Sequence, residues 1–336
     1  MSIKQWRKIY NKKCTNFPEL PSILPPVKRI IVLGDLHGDW DMTIKSLKIA
    51  KLIDNTYKWI GGDTIVVQLG DQIDRCRFTG IPCDRKEATK DDEASDMKIL
   101  NFFTDLHKQA QYVGGAVYSI IGNHELMNVN GDMRYVSFEN IAEFDNYKKP
   151  NGTIITDGME ARKYAFAPGN KIANFLGCTR QLSLIIGSNL FVHAGVLPEI
   201  AKKYNIQEMN QIISLYLWNK LKNPSNYNEL LNSSDYSPLW NRIFGSVQQS
   251  EQSCDILMKP LEQIYKVGKI FIGHTPQLNT GISNTCNGKI WLADYGASKA
   301  FNAFDNNFIY NNKRSPLREA QVLEILNDGE KINILK

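Results

Sequence analysis

Three apolar runs, each stopped by a glycine and followed at once by polar residues, constrain this chain more than any other feature. Ile30 to Leu33 leads into Gly34-Asp35-Leu36-His37-Gly38-Asp39, Thr64 to Leu69 into Gly70-Asp71-Gln72-Ile73-Asp74-Arg75, and Ala116 to Ile121 into Gly122-Asn123-His124-Glu125. Continuous apolar runs of this length, bounded by turn residues, read as buried strands of a parallel sheet. Glycine at the strand end lets the backbone turn sharply and come close to whatever the next side chains hold. Taken in order, the three runs set carboxylates, imidazoles and an amide along one sheet edge, where open α/β sheets bind ligands. An acidic residue after a strand can equally be a helix cap, and Asp39 is expected to open a helix through about residue 52.

Two later segments repeat the pattern: Leu190-Phe191-Val192 precedes His193-Ala194-Gly195, and Lys269 to Ile272 precedes Gly273-His274. Four of the five histidines, His37, His124, His193 and His274, therefore fall in these five motifs. Ordinary core histidines would have no reason to cluster so. A mixed imidazole and oxygen donor set suits Mn, Fe or Zn better than Ca.

The five motifs, Gly-Asp-x-His-Gly, Gly-Asp-x-x-Asp-Arg, Gly-Asn-His-Glu, His-Ala-Gly and Gly-His, together resemble the calcineurin-like metallophosphoesterases, and within them the phosphoprotein phosphatase family. The resemblance runs from about Ile30 to Ser298. It implies an α/β (α+β) fold, a two-layer β-sandwich flanked by helices, which fits the change from strand–helix alternation to mostly strands after Gly177. It also implies two metal ions: Asp35 and His37 on one, Asn123, His193 and His274 on the other, Asp71 bridging both. Such a pair activates a shared water for in-line displacement at phosphorus, so no phosphoenzyme is required. Manganese is the cation expected to support activity in vitro, with iron and zinc as alternatives. By the same resemblance His124 is the general acid for the leaving group and Asp74 orients it. Arg75 is expected to grip phosphate oxygens bidentately, with Arg242 as a second clamp and Tyr295 near the metals. Glu125 is expected to hold its loop rather than ligate.

Two departures bear on substrate. Ile121 and Cys76 stand where eukaryotic Ser/Thr phosphatases usually carry arginine and glycine, while Phe-Val-His-Ala-Gly and Asp-Tyr-Gly-Ala-Ser resemble the bacterial-type Shewanella-like branch. The implied activity is hydrolysis of phosphoserine, phosphothreonine or phosphotyrosine in proteins. A dinucleotide tetraphosphatase or another small-molecule phosphoesterase is the alternative, and a phosphopeptide-binding pseudophosphatase a lesser one.

The rest of the chain sets the background. With 336 residues, 43% hydrophobic and a net charge of +5, it can bury a large core, and its charge gives no reason to expect nucleic acid as a partner. Residues 1–28 read as a basic arm and a proline-rich connector, with Trp6 and Tyr10 docked on a catalytic domain over 29–336. No apolar stretch suits a signal peptide or a membrane span, so a cytoplasmic protein with a phosphorylated protein as partner is expected. The six cysteines show no paired spacing and read as reduced thiols, with Cys76 a spectator. Residues 76–95 read as a charged surface insertion, His107 as a surface residue, 151–169 as a loop, and Ile200 to Leu221 as helical.

Overall fold

The computed structural model describes residues 3–247 and 249–336. Two six-stranded sheets stack face to face. One runs Lys331–Leu335, Val322–Leu326, Arg29–Leu33, Ile65–Gln68, Ala116–Ile120, Arg180–Gln181, and the other Ile23–Leu24, Ser183–Ile186, Asn189–Val192, Lys269–Ile272, Ile290–Leu292, Ser283–Thr285. Strand alternation divides each sheet between two cores. Ile30 and Val32 point between the sheets and pack with Phe191, Phe271 and Trp291. Ile31 and Leu33 point outward, beneath helices Trp40–Ile49 and Asp96–Gln111. The outer face of the second sheet, through Leu190, Val192, Ile270 and Ile272, is covered by Ile206–Leu217 and Glu251–Tyr265. The expected two-layer sandwich flanked by helices is therefore the observed architecture.

Arg29–Leu33, Ile65–Gln68 and Ala116–Ile120 pair in parallel, with Val32 beside Val67 and Val67 beside Tyr118. Parallel pairing in register sends all three chain ends out on one side. Asn189–Val192 and Lys269–Ile272 are likewise parallel, so His193 and His274 leave the second sheet side by side.

Several readings need correction. All six cysteines are paired, as Cys14–Cys178, Cys76–Cys83 and Cys254–Cys286. The partners lie 164, 7 and 32 residues apart, so only the folded chain reveals them. Cys76 is thus no spectator. His107 is buried, and its Nδ1 accepts the Val117 backbone N–H at 3.1 Å. The turn-rich segment 151–169 contains helix Gly158–Phe166, capped by Asp157. Ile200 to Leu221 is two helices, because Tyr204 is extended and an Asn205–Glu208 capping box starts the second. The arm behaves as expected: it contains helix Ile3–Lys13, and Trp6 and Tyr10 dock on the core by packing on Trp218. After it, Ile23–Leu24 adds an edge strand beside Ser183–Ile186.

Candidate metal centre

Where the two sheets open, the five motif loops meet. Asp71 is the hub: its Oδ2 lies 3.4 Å from His193 Nε2, 3.7 Å from His37 Nε2 and 3.8 Å from His124 Nε2. Asp35 Oδ2 stands 3.9 Å from His37 Nε2. Asn123 Oδ1 is approached by His193 Nε2 at 2.8 Å and by His274 Nδ1 at 2.9 Å. All six expected ligands are buried and brought together. Two donor triplets emerge, His37–Asp71–His124 and Asp71–His193–His274, each spanning no more than 4.8 Å and sharing Asp71.

The local backbone is shaped for this convergence. His37, Asp71, Asp74 and His274 all adopt positive φ, between 42° and 72°. Such conformations are unfavourable for residues with a Cβ and persist where the surroundings enforce them. Glycines permit the close approaches. A Cβ on Gly122 would come within 2.1 Å of Asp71 Oδ1, and one on Gly273 within 2.1 Å of Asp35 Oδ1. Glu125 fastens the second and third loops by accepting N–H bonds from Gly122 at 2.7 Å, Gln72 at 2.7 Å and Asp71 at 3.1 Å. It holds the loops, as expected.

The electrostatics fit a pair of cations. Burial, reinforced by Asp294 and Asp71, pushes the Asp35 carboxyl well above the usual range. Burial also raises Asp294 to about 6 and Glu125 to about 7, with the Asp71 charge adding to each. Asp35 Oδ1 and Asp294 Oδ2 are buried without a hydrogen-bond partner. His37 and His274 are held well below the usual imidazole range by burial first, then by Arg77 for His37 and by His193 for His274. A neutral imidazole keeps the lone pair that a cation needs. Crowded carboxylates, bare oxygens and neutral imidazoles are the donor set of a metal centre.

Beside this centre His124 Nδ1 meets Asp74 Oδ2 at 2.7 Å, leaving Nε2 facing Asp71. Behind Asp74 runs a fully buried polar chain. Asn128 Nδ2 donates to Asp74 Oδ1 at 2.9 Å, Arg162 Nε to Asn128 Oδ1 at 2.8 Å, and Arg162 Nη2 to Asp96 Oδ2 at 2.7 Å.

The expected substrate residues divide. Arg242 is at the rim, exposed, with Nη1 donating to the His274 carbonyl at 2.8 Å. Arg75 turns away: its guanidinium is buried against the Gly38 and Asp91 carbonyls at 2.7 and 2.8 Å and pairs with Glu93. Arg77 is the arginine whose charge acts on Asp71, Asp74 and Asp294, while its Nη1 donates to the Asp74 and Cys76 carbonyls at 3.1 and 2.7 Å. Its guanidinium lies between the rings of Phe301, 4.5 Å from the centroid, and Tyr135, at 5.5 Å. Positive φ at both Asp71 and Asp74 turns the chain twice, so the first arginine after the motif does not inherit the motif's direction. Tyr295 is also displaced from its expected place. It is buried between the sheets, its hydroxyl donating to the Gln321 carbonyl and accepting the Gln321 N–H.

Asp294, Arg77, Tyr135 and Arg162 are the residues of this region that sequence reasoning missed. For Asp294 a signal existed, since it too follows a buried strand, Ile290–Leu292. The ring of Tyr135 packs against His124 at a tilt of 58° with centroids 5.0 Å apart, and no pattern in the sequence announces that.

This fold and this edge of converging carboxylates and histidines are those of a metallophosphoesterase. A model of the calcineurin-like phosphoesterase family matches residues 28–278, and the chain belongs to that family. Among its relatives, an uncharacterized protein of Acanthamoeba polyphaga mimivirus, R398, is 39% identical over 68% of this chain and 95% of its own length. Shewanella-like protein phosphatase 2 of Arabidopsis thaliana is 30% identical over 81% of this chain and 72% of its own. Shewanella-like protein phosphatase 1 of Plasmodium berghei is 27% identical over 80% and 67%. A solved structure titled as a cold-active protein tyrosine phosphatase superposes with a TM-score of 0.66 at 23% identity, covering 94% of this chain and 81% of that one, a likeness of fold.

Proposed function

We propose that this protein is a dinuclear metal-dependent protein phosphatase, hydrolysing phosphomonoesters of serine, threonine or tyrosine. The observation that carries the reading is a single buried carboxylate, Asp71, common to two donor clusters, with the His124–Asp74 pair beside it. Asp35, His37 and Asp71 would hold one cation; Asp71, Asn123, His193 and His274 the other. Bound there, two cations supply a water of lowered pKa and polarise the phosphoryl oxygens. His124 delivers a proton from Nε2 to the leaving oxygen while Asp74 fixes its ring through Nδ1. Arg77, and Arg242 at the rim, meet the phosphoryl oxygens with their guanidinium N–H groups. Manganese, iron or zinc fits the nitrogen and oxygen donors. Action on proteins rather than nucleotides is supported by the protein phosphatases among the relatives.

No helix of the described residues is long and apolar enough to cross a membrane. Three disulfides favour an oxidising compartment over the cytoplasm expected from sequence.

The test is turnover by manganese-loaded protein of phosphoserine, phosphothreonine and phosphotyrosine peptides beside diadenosine tetraphosphate, with Asp71→Asn as control. Peptide hydrolysis that disappears in the control is expected. Hydrolysis of the dinucleotide alone would transfer the protein to small-molecule chemistry, and metal-independent turnover would refute the dinuclear reading.

A further inference from the structure

Next to the metal centre, on the far side of Arg77, lies a second pocket of about 440 Å³. Its wall is formed by the insertion 76–95 and by the segment after Ser298. Four cationic side chains line it, Arg75, Arg77, Lys90 and Lys299, against one carboxylate, Glu87. Among the described residues neither lysine ammonium and neither nitrogen end of Arg77 lies within ion-pair distance of a carboxylate, and only Arg75 is paired, with Glu93. Arg75 has Glu93 and Arg77 the carboxylates of the metal centre as counter-charges, so the two lysines are the cations left uncompensated in this wall.

Two buried donors in the same pocket also lack partners. Arg75 is 1% exposed, and its Nε has no acceptor. The Thr89 hydroxyl, towards the far end of the insertion, has none either. A buried donor left bare is costly, and native proteins leave few. Two free ammonium groups in the wall, backed by a guanidinium N–H and a hydroxyl that lie covered and unpartnered behind it, favour an oxyanion in this pocket.

We propose that this pocket is a second anion subsite, which takes a phosphate or carboxylate of the substrate lying close in sequence to the phosphoester being cleaved. The inference rests on the protein phosphatase reading and deepens it: the preferred substrate is a phosphorylated segment carrying another anionic side chain. Arg77 links the two pockets, because its charge acts on Asp71 and Asp294 while its side chain also lines the cationic wall. An extended peptide advances about 3.3–3.6 Å per residue, so a neighbour within roughly three positions can reach across. The fixed placement of Arg75 by the Gly38 and Asp91 carbonyls means that the receptor is organised before anything binds.

The experiment compares three phosphopeptides of one sequence, with neutral residues, with glutamate, or with a second phosphoserine placed at successive positions on either side of the cleaved phosphate. p-Nitrophenyl phosphate serves as the substrate without a second anion. The manganese-loaded protein and the Lys90→Ala/Lys299→Ala variant are both assayed, since neither lysine belongs to the catalytic machinery. The expected result is a KM lower by roughly tenfold for an anion-bearing peptide, with kcat little changed. That preference should vanish in the double variant while its p-nitrophenyl phosphate kinetics stay at the wild-type level. Which of the two anions gains more tells carboxylate from phosphate recognition. Equal KM for all peptides at every position, or a preference that survives the double variant, overturns the subsite and leaves the phosphatase reading standing. Wild-type protein unable to hydrolyse p-nitrophenyl phosphate and every peptide overturns both.

Discussion

His124 shows what one side chain must satisfy in this centre. Its Nε2 is close enough to Asp71 to count as a metal donor, while its Nδ1 is held by Asp74, and a carboxylate behind an imidazole is found for ligands and for acids alike. Substitution separates the roles. His124→Asn is expected to lower kcat by ~10²–10⁴ with metal content unchanged, as measured by elemental analysis beside steady-state kinetics. Loss of one equivalent of metal would make His124 a ligand instead. The two arginines make a parallel case. Arg77→Ala should weaken phosphate binding and reduce kcat/KM by about ten- to a hundredfold without lowering Tm, as expected for loss of a charge-assisted contact. Arg75→Ala should instead cost ~1–3 kcal/mol of stability, because the Asp91 carbonyl loses its donor and that of Gly38 keeps only the Ser95 hydroxyl. Reversed behaviour would restore Arg75 to the role expected from the sequence. Legibility at this scale followed local grammar. Asp35, Asp71, Asn123, His193 and His274 were readable because each follows an apolar run and a turn, whereas Arg77 depends on backbone angles that no residue type declares.

Elements explain which expectations failed. The central strands were evident from continuous apolar runs, and helix Trp40–Ile49 from its spacing and its Asp39 cap. Helix Gly158–Phe166 was hidden among turn formers, yet it carries Arg162, whose fully buried guanidinium supports the Asp74 chain. The disulfides were invisible for a different reason: their partners are neighbours only in three dimensions. One of them, Cys14–Cys178, fastens helix Ile3–Lys13 where Trp6 and Tyr10 close over Trp218. Trp6 is 7% exposed, and its Nε1 donates to Ser214 Oγ at 3.0 Å. Trp6→Ala is therefore expected to lower stability by ~3–5 kcal/mol, read as a fall in the urea midpoint at constant m-value. Activity per folded molecule should persist, since the contacts of Trp6 run to Tyr10, Trp218 and Ser214 and not to a candidate ligand. A midpoint unchanged from wild type would mean the arm is only loosely laid on the surface.

Taken as a whole, the molecule concentrates buried acid around one cleft, and that makes its stability depend on pH. Asp96 is pushed up to about 6 by burial, which outweighs the opposing Arg162 charge, and Asp294 and Glu125 rise to about 6 and about 7. The unfolded references lie near 3.9 for Asp and 4.3 for Glu. Each group therefore binds its proton more tightly in the folded state. The stability this contributes is complete below about pH 4 and is lost as pH rises through 6 to 7. His37 and His274, held below the usual imidazole range by burial, act in the opposite direction over the same window, so the carboxylate contribution is read by substitution: metal-free Asp96→Asn should lose less stability to urea than wild type between pH 5 and pH 7.5. Added manganese should recover more stability at pH 7.5 than at pH 5, because ionised carboxylates are the ones that bind it. An Asp96→Asn profile parallel to that of wild type across this window would contradict the picture.

The order of strands has a last consequence. Arg29–Leu33, which delivers Asp35 and His37, is flanked on one side by Ile65–Gln68 and on the other by Val322–Leu326 from near the opposite terminus. His274, 239 residues from Asp35, bonds to it directly through its backbone N–H. A chain emerging from the ribosome can make its early helices, but it cannot gather its candidate ligands until residue 274 is free, nor cover the open edge of Arg29–Leu33 until Val322–Leu326 follows. A complete metal centre can then form only after residue 274 has been made, and until Val322–Leu326 arrives the nascent chain has to keep an uncovered, strongly apolar strand from its neighbours.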